Sequence, residues 1–263
     1  MRSISWRLLN GALLAILPLP FLLIAAISVS PDRFMAFPPS GFSLTWYYEL
    51  VSNSEWTIPI AVSAMIAAGT AVLSTAIAIC AVLATDGLGP RLRALIDMAV
   101  FAPLIFPHAA VGIAMLGFLL TLHVRGTMVG ILLVHIILCV PFAYRPISVS
   151  IQNIDSSLAE ASMSLGADSR TTFWRVILPL MKPGIVTALI FTFILSFDEA
   201  TVTLFLISPD VITLPVRVFS RVRDAADPVV PAISTLLVFI TLMLVIVVER
   251  TVGLQLFVNP KKE

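Results

Sequence analysis

Two acids stand side by side in an apolar stretch. Ser196-Phe197-Asp198-Glu199 lies about 14 residues into a hydrophobic run that begins near Gly184, roughly 21 Å along a helix at 1.5 Å per residue. An ionisable group at such depth costs at least ~2.5 kcal/mol and normally faces a bundle interior or a water-filled cavity. The chemistry such a pair offers is electrostatic attraction of a passing cation. Helical periodicity places Thr192, Ser196, Glu199 and Thr203 at i, i+4, i+7 and i+11, one polar stripe that points Glu199 into a pathway. Asp198 then sits ~100° away, flanking the pathway or pairing with a neighbouring subunit. An inter-helix ion pair with no ligand role accounts for the same acids.

Other residues extend this polar set. His108 follows Pro103 and Pro107, which interrupt backbone hydrogen bonding in mid-span, and broken backbone in a membrane lines cavities or packs inside protein. His108 is therefore either a satisfied packing histidine or a pathway residue beside unwound backbone. His135, near a break expected at Pro141, reads as a structural histidine bonded within the bundle. Trp46, in Phe42-Ser43-Leu44-Thr45-Trp46-Tyr47-Tyr48, belongs either to an interfacial aromatic belt or to a face offered to a cationic ligand.

The same sequence excludes several classes. Ser196 lies near acids but no histidine neighbours it in sequence, so an intramembrane hydrolase is disfavoured and no catalytic residue is assigned. The three histidines are far apart and form no metal-ligand cluster. Cys80 and Cys139 both fall inside apolar runs, which argues against a disulfide framework. No Gly-x-x-x-x-Gly-Lys-Ser/Thr stretch occurs, so the chain cannot cradle ATP phosphates by a P-loop. No cofactor is expected. A formal charge of +1 gives no footprint for nucleic acid.

Between two apolar runs lies a polar island, Leu158 to Pro179. Ser156 and Ser157 are candidate N-caps, with Glu160 three residues after Ser157 as in a capping box. Leu158, Ala161 and Leu165 share one helical face. Gly166 is a natural C′ stop. A second segment, Ser169 to Ile177, should end at Pro179. The island reads as two short helices joined at a glycine and held at the membrane surface, and an ordinary interfacial amphipathic helix would have the same look.

Glu160-Ala161-Ser162, Gly166 and Ile177-Leu178-Pro179 resemble the "EAA" loop of bacterial ABC-importer permeases of the binding-protein-dependent, type I kind. The departure is Ser162 where the pattern has a second Ala. The resemblance runs from about Leu8 to Val248. Phe42 to Tyr48, the Ser-Phe-Asp-acid pair, Thr213-Leu214-Pro215-Val216 and the arginines 217, 221 and 223 are most similar to the spermidine/putrescine branch. That branch tends to carry an acid after the proline, where this chain has His108.

The elements that must position these residues are membrane spans. The chain has 263 residues, is 59% hydrophobic and has only 12% charged residues, against about 25% in soluble domains. Six spans are predicted, at about 8–29, 57–85, 94–121, 127–149, 184–207 and 229–250, each meeting the ~20 residues a ~30 Å hydrocarbon core requires. The apolar run to Val29 is longer than a signal-peptide core, so the first reads as a retained span. The second, with Ala67, Ala68, Gly69, Thr70, Ala71, Ser74 and Thr75, suits close helix packing. With the N-terminus inside, eleven Lys/Arg fall on the cytoplasmic side (Arg2, Arg7, Arg91, Arg93, Arg145, Arg170, Arg175, Lys182, Arg250, Lys261 and Lys262). Five fall outside (Arg33, Arg125, Arg217, Arg221 and Arg223). The positive-inside rule therefore puts both termini and the 154–182 loop in the cytoplasm.

The fold expected is all-α: one polytopic domain over 1–263 with six transmembrane helices, the transmembrane domain of a type I ABC importer. The resemblance implies a bacterial inner-membrane permease carrying a small, cationic solute such as a polyamine. It implies as partners an ABC ATPase homodimer, a second permease of similar fold, a periplasmic substrate-binding protein and membrane lipid. Glu160, Ala161, Ser162, Gly166, Ile177, Leu178 and Pro179 would couple to the ATPase; Trp46, His108, Ser196, Asp198 and Glu199 would line the substrate pathway. Alternative solutes are an amino-acid derivative, a phosphonate or a metal ion. A proton-coupled secondary transporter would also use intramembrane acids and broken helices, but has no need of the Glu160 loop.

Overall fold

The computed structural model describes residues 2–85, 88–224 and 227–252; Lys261 and Lys262 of the charge pattern lie outside them. In chain order the helices are α1 (Arg2–Ile16), α2 (Leu19–Ser28), α3 (Thr45–Ser52), α4 (Ser54–Thr85) and α5 (Pro90–Phe101). A 3₁₀ turn, Ala102–Ile105, leads to α6 (His108–Thr121) and α7 (Met128–Gln152). Next come α8 (Ser156–Ser164), α9 (Ser169–Thr172), a π turn (Phe173–Ile177) and α10 (Leu178–Leu180). The last described helices are α11 (Lys182–Asp198), α12 (Thr203–Leu206), α13 (Leu214–Asp224) and α14 (Val229–Val252). The described residues are all-α.

Among the described residues four stretches are long and apolar enough to cross a membrane: Leu9–Ser28, Ser54–Thr85, Met128–Gln152 and Val229–Val247. Two bent pairs complete a set of up to six. Pro90–Ile105 and His108–Thr121 meet at 102°, and Ser169–Leu180 and Lys182–Asp198 at 64°. The expected span at 94–121 is thus a broken one. Pro107 occupies the N-cap of α6 with extended ψ of 133°, and proline both fixes φ and biases the residue before it, Phe106, out of helix. Pro141 was expected to mark a second break. Instead α7 runs continuously through Pro141 and Pro146, because both prolines are buried against neighbouring helices that hold the backbone in place. The expected span at 184–207 also stops early: α11 ends at Asp198, and only the short α12 follows.

The chain divides into two compact units. One consists of Met1–Ile58 and Arg217–Leu242. Here Trp56 and Leu50 are buried. The Tyr47 hydroxyl meets the Ser28 hydroxyl at 2.8 Å, and Arg221 pairs with Glu55 and, at 3.8 Å, with Asp227. Asp32 accepts from Ser30 and Ser40, which holds its carboxyl below the usual carboxylate range.

The other unit consists of Pro59–Val216 and Met243–Glu263 and carries two apolar clusters. One gathers Val62, Ile66, Val111, Leu119, Ile131, Val134, Leu138, Val202 and Leu206. The second gathers Ala78, Val82, Ala143, Tyr144, Ile147, Met181 and Ala188. Helices α7 and α11 run together through this unit because Gly184 permits it. A β-carbon there would lie 2.5 Å from Cβ of Ser150 and 2.7 Å from the Pro146 carbonyl oxygen.

Candidate functional site

The polar island folds as two short helices across a glycine turn. Asp155, rather than Ser156 or Ser157, caps α8: its carboxylate accepts from the Ser157 N–H at 2.9 Å. The expected Ser157–Glu160 capping box therefore does not set the helix start. An aspartate two residues upstream takes the free N–H first and adds a charge favourable to the helix dipole. At the other end Gly166 adopts φ +89°. The Gly166 N–H bonds to the Met163 carbonyl at 2.9 Å and the Ala167 N–H to the Ser162 carbonyl at 3.2 Å, the two bonds of a Schellman turn. Asp168 caps α9 through the Thr171 N–H, and that bonding lowers its pKa.

Helix α9 does not stop at Pro179. It widens into the π turn and continues to Leu180. Proline offers no N–H to the carbonyl four residues back, and a π turn absorbs the mismatch. Ser162 Oγ and Thr172 Oγ1 lie 3.0 Å apart and tie α8 to α9. Glu160, Ala161, Gly166 and Pro179 are exposed; Ser162, Ile177 and Leu178 are half-buried. Leu158, Met163, Leu165 (90% exposed) and Trp174 (58% exposed) present apolar surface around them. Behind this surface Ile154 and Ile177 pack onto the cluster that contains Ala143, Ile147 and Met181.

A second constellation forms where α6, α7 and α11 meet. A cavity of about 100 Å³ is lined by His108, His135, Leu138, Cys139, Phe142, Leu195, Ser196 and Glu199. His135 is buried; its Nδ1 lies 2.8 Å from Ser196 Oγ and its Nε2 2.9 Å from Thr203 Oγ1. It thus joins α7 to both α11 and α12. Folding brings a histidine to Ser196 that sequence proximity did not reveal. The pair does not make a hydrolytic site, because the second nitrogen of His135 meets a hydroxyl and not the carboxylate that orients a catalytic base.

Glu199 does not continue the stripe of Thr192 and Ser196. It follows the last residue of α11 with ψ 109°, and its Oε1 accepts from the Val202 N–H at 2.7 Å. The helix ends there, so the i+7 position predicted for Glu199 is reached by a turn rather than by helical periodicity. The carboxylate still lines the cavity with His108 and Ser196. Asp198 is exposed and lies outside that lining. Among the described residues neither acid has a basic side chain within ion-pair distance. Trp46 belongs to the unit with Tyr47 and Trp56, where its indole N–H donates to the Ser30 carbonyl at 2.8 Å. Three of the five pathway candidates therefore share one cavity. His135 and Cys139 join them, and neither was expected to do so.

The model of the family "Binding-protein-dependent transport system inner membrane component" matches residues 76–255. The chain is 27% identical over 232 residues to the spermidine/putrescine transport system permease protein PotC of Haemophilus influenzae, covering 88% of this chain and 90% of that one. It is 31% identical over 206 residues to the putrescine transport system permease protein PotI of Escherichia coli K12, covering 75% and 73%. It is 28% identical over 244 residues to a putative 2-aminoethylphosphonate transport system permease protein, PhnV, of Salmonella paratyphi A, covering 89% and 88%. The fold is similar to that of a bacterial ABC transporter involved in the import of the acidic polysaccharide alginate. The TM-score there is 0.71 at 18% identity, with 95% of this chain and 98% of that one covered. The matched span, the relatives and the broken-helix fold converge. This chain belongs to the binding-protein-dependent inner membrane components, the multi-pass permease subunits of bacterial ABC importers.

Proposed function

We propose that this permease forms part of the pathway for a small cationic solute such as a polyamine, delivered by a periplasmic binding protein. The observation that carries this reading is the Glu199 carboxylate, without an ion-pair partner among the described residues, on a cavity shared with His108 and Ser196. A volume of about 100 Å³ suits one ammonium head group or a few waters, so an extended polyamine would pass end-on. The naming of the PotC and PotI relatives supports the same solute class.

The 154–182 loop is the docking surface for a separate ABC ATPase in this reading, with Glu160, Ala161, Ser162, Gly166, Ile177, Leu178 and Pro179 in the coupling element. Its exposed apolar rim and its packing onto α7 and α11 support that role. ATP hydrolysis resides on a homodimer of that partner, a second permease of similar fold completes the pathway, and both termini face the cytoplasm.

A second solute class has one observation in its favour. His108 stands on the cavity where polyamine-branch members tend to have an acid, and the aminoethylphosphonate relative covers as much of the chain. A ligand carrying both an ammonium and a phosphonate would use Glu199 and His108 together. Calorimetric titration of the cognate binding protein with putrescine, spermidine and 2-aminoethylphosphonate decides between them. Tight binding of the phosphonate with no polyamine binding would reject the polyamine reading.

A further inference from the structure

A groove of about 610 Å³ between α5, α7 and α11 shares Phe142 with the Glu199 cavity but holds none of the pathway candidates. Its walls include Leu104, Pro141, Phe142, Val149 and Phe191. Only two lining residues carry polar side chains. The Thr187 hydroxyl is spent on the Pro183 carbonyl at 2.8 Å. That leaves Arg145, whose guanidinium lies 5.3 Å from the centre of the Phe101 ring. Among the described residues no carboxylate comes within ion-pair distance of it. A polar solute would find no hydrogen-bonding lane here, and an apolar one would leave the cation unanswered.

Depth separates the remaining occupants. Helix α7 has 25 residues, so at 1.5 Å per residue it exceeds a ~30 Å hydrocarbon core by several ångströms. Arg145 stands seven residues before its end at Gln152, and a long arginine stem reaches from there to headgroup level. Pro141 and Phe142 lie deeper and Val149 nearer the end. We infer that this groove binds an anionic phospholipid, with its phosphate on the Arg145 guanidinium and an acyl chain along Phe142, Leu104 and Phe191. The fork of a guanidinium meets two phosphate oxygens at once, and basic pockets between spans suit such head groups. The inference rests on α7 as a membrane span and is independent of which solute is carried.

The test uses the assembled importer, purified in mild detergent after reconstitution in vesicles of equal phosphatidylglycerol and phosphatidylcholine. Retained lipid is extracted and quantified by mass spectrometry. The wild-type complex should retain phosphatidylglycerol in preference, and Arg145→Gln should retain about fivefold less of it. Val149→Trp keeps the cation but fills the groove, and should also release the lipid, which covers the case in which Arg145→Gln fails to assemble. Wild-type phosphatidylglycerol retention in either assembled variant overturns the proposal. So does quantitative disulfide crosslinking of Val149→Cys to cysteines on another chain of the complex, which would make the groove a protein interface.

Discussion

Ser162 Oγ and Thr172 Oγ1 are 3.0 Å apart, and the contact spans the Gly166 turn that joins α8 to α9. Ser162 is also the position where this chain departs from the second Ala of the family pattern. A small hydroxyl keeps the close approach an alanine allows and adds one inter-helix bond. Ser162→Ala should therefore cost about 1 kcal/mol of loop order, some fivefold in local opening, and leave membrane insertion intact. Hydrogen exchange of peptides covering 156–172 reads this directly. Unchanged protection would mean that Thr172, which is buried, finds another partner.

Glu160 is exposed on this loop, as are the apolar Leu158, Met163, Leu165 and Trp174. Reversing the charge of Glu160 alters the docking surface proposed above without touching the core behind it. Glu160→Arg is expected to reach the membrane in normal amount and to abolish substrate-stimulated ATP hydrolysis by the complex. Normal transport in that variant would remove the loop from coupling.

Gly166 was legible in the sequence because a left-handed C′ position strongly favours glycine, and only one lay at the end of the apolar stripe. The cap at the other end was not, since Asp155, Ser156 and Ser157 compete within three positions. Pro107 announced its break, but Pro141 and Pro146 did not betray that α7 would stay whole. The stripe logic held for Thr192 and Ser196, both buried, and failed at Glu199. No glycine or proline lies between Asp198 and Ile207 to mark the helix end; burial of Val202 and Leu206 in a core cluster imposes it. The His135–Ser196 contact joins residues 61 apart, beyond the reach of any local period.

His135 satisfies two buried hydroxyls at once, on Ser196 and Thr203. His135→Phe keeps the bulk but orphans both, at about 1–3 kcal/mol for each buried group left unpaired. The purified complex should unfold several degrees lower, with substrate affinity of the binding protein unaffected. Ser196→Ala removes one partner only and should cost less. Equal thermal midpoints for wild type and His135→Phe would show that water replaces the imidazole.

Glu199 carries the sharpest prediction. Its Oε1 is already engaged by the Val202 N–H, and a glutamine presents the same acceptor, so Glu199→Gln preserves the turn that closes α11. What it removes is charge on the cavity shared with His108 and Ser196. A unit charge attracts a cation at 4 Å by about 4 kcal/mol at an effective dielectric of ~20, against about 1 kcal/mol in water. A transport site must also release its ligand, so only part of that attraction is expressed in uptake. The variant should assemble, hydrolyse ATP at the basal rate and import a cationic substrate at least about tenfold more slowly, the equivalent of 1.4 kcal/mol. Asp198→Asn is the control. The exposed Asp198 lies outside the cavity lining, so its loss should act on assembly with the second permease rather than on the pathway. The measurement is uptake into proteoliposomes alongside co-purification of the partner subunits. Wild-type uptake by an assembled Glu199→Gln complex would leave the acid as a helix-terminating residue and withdraw the main support for a cationic solute.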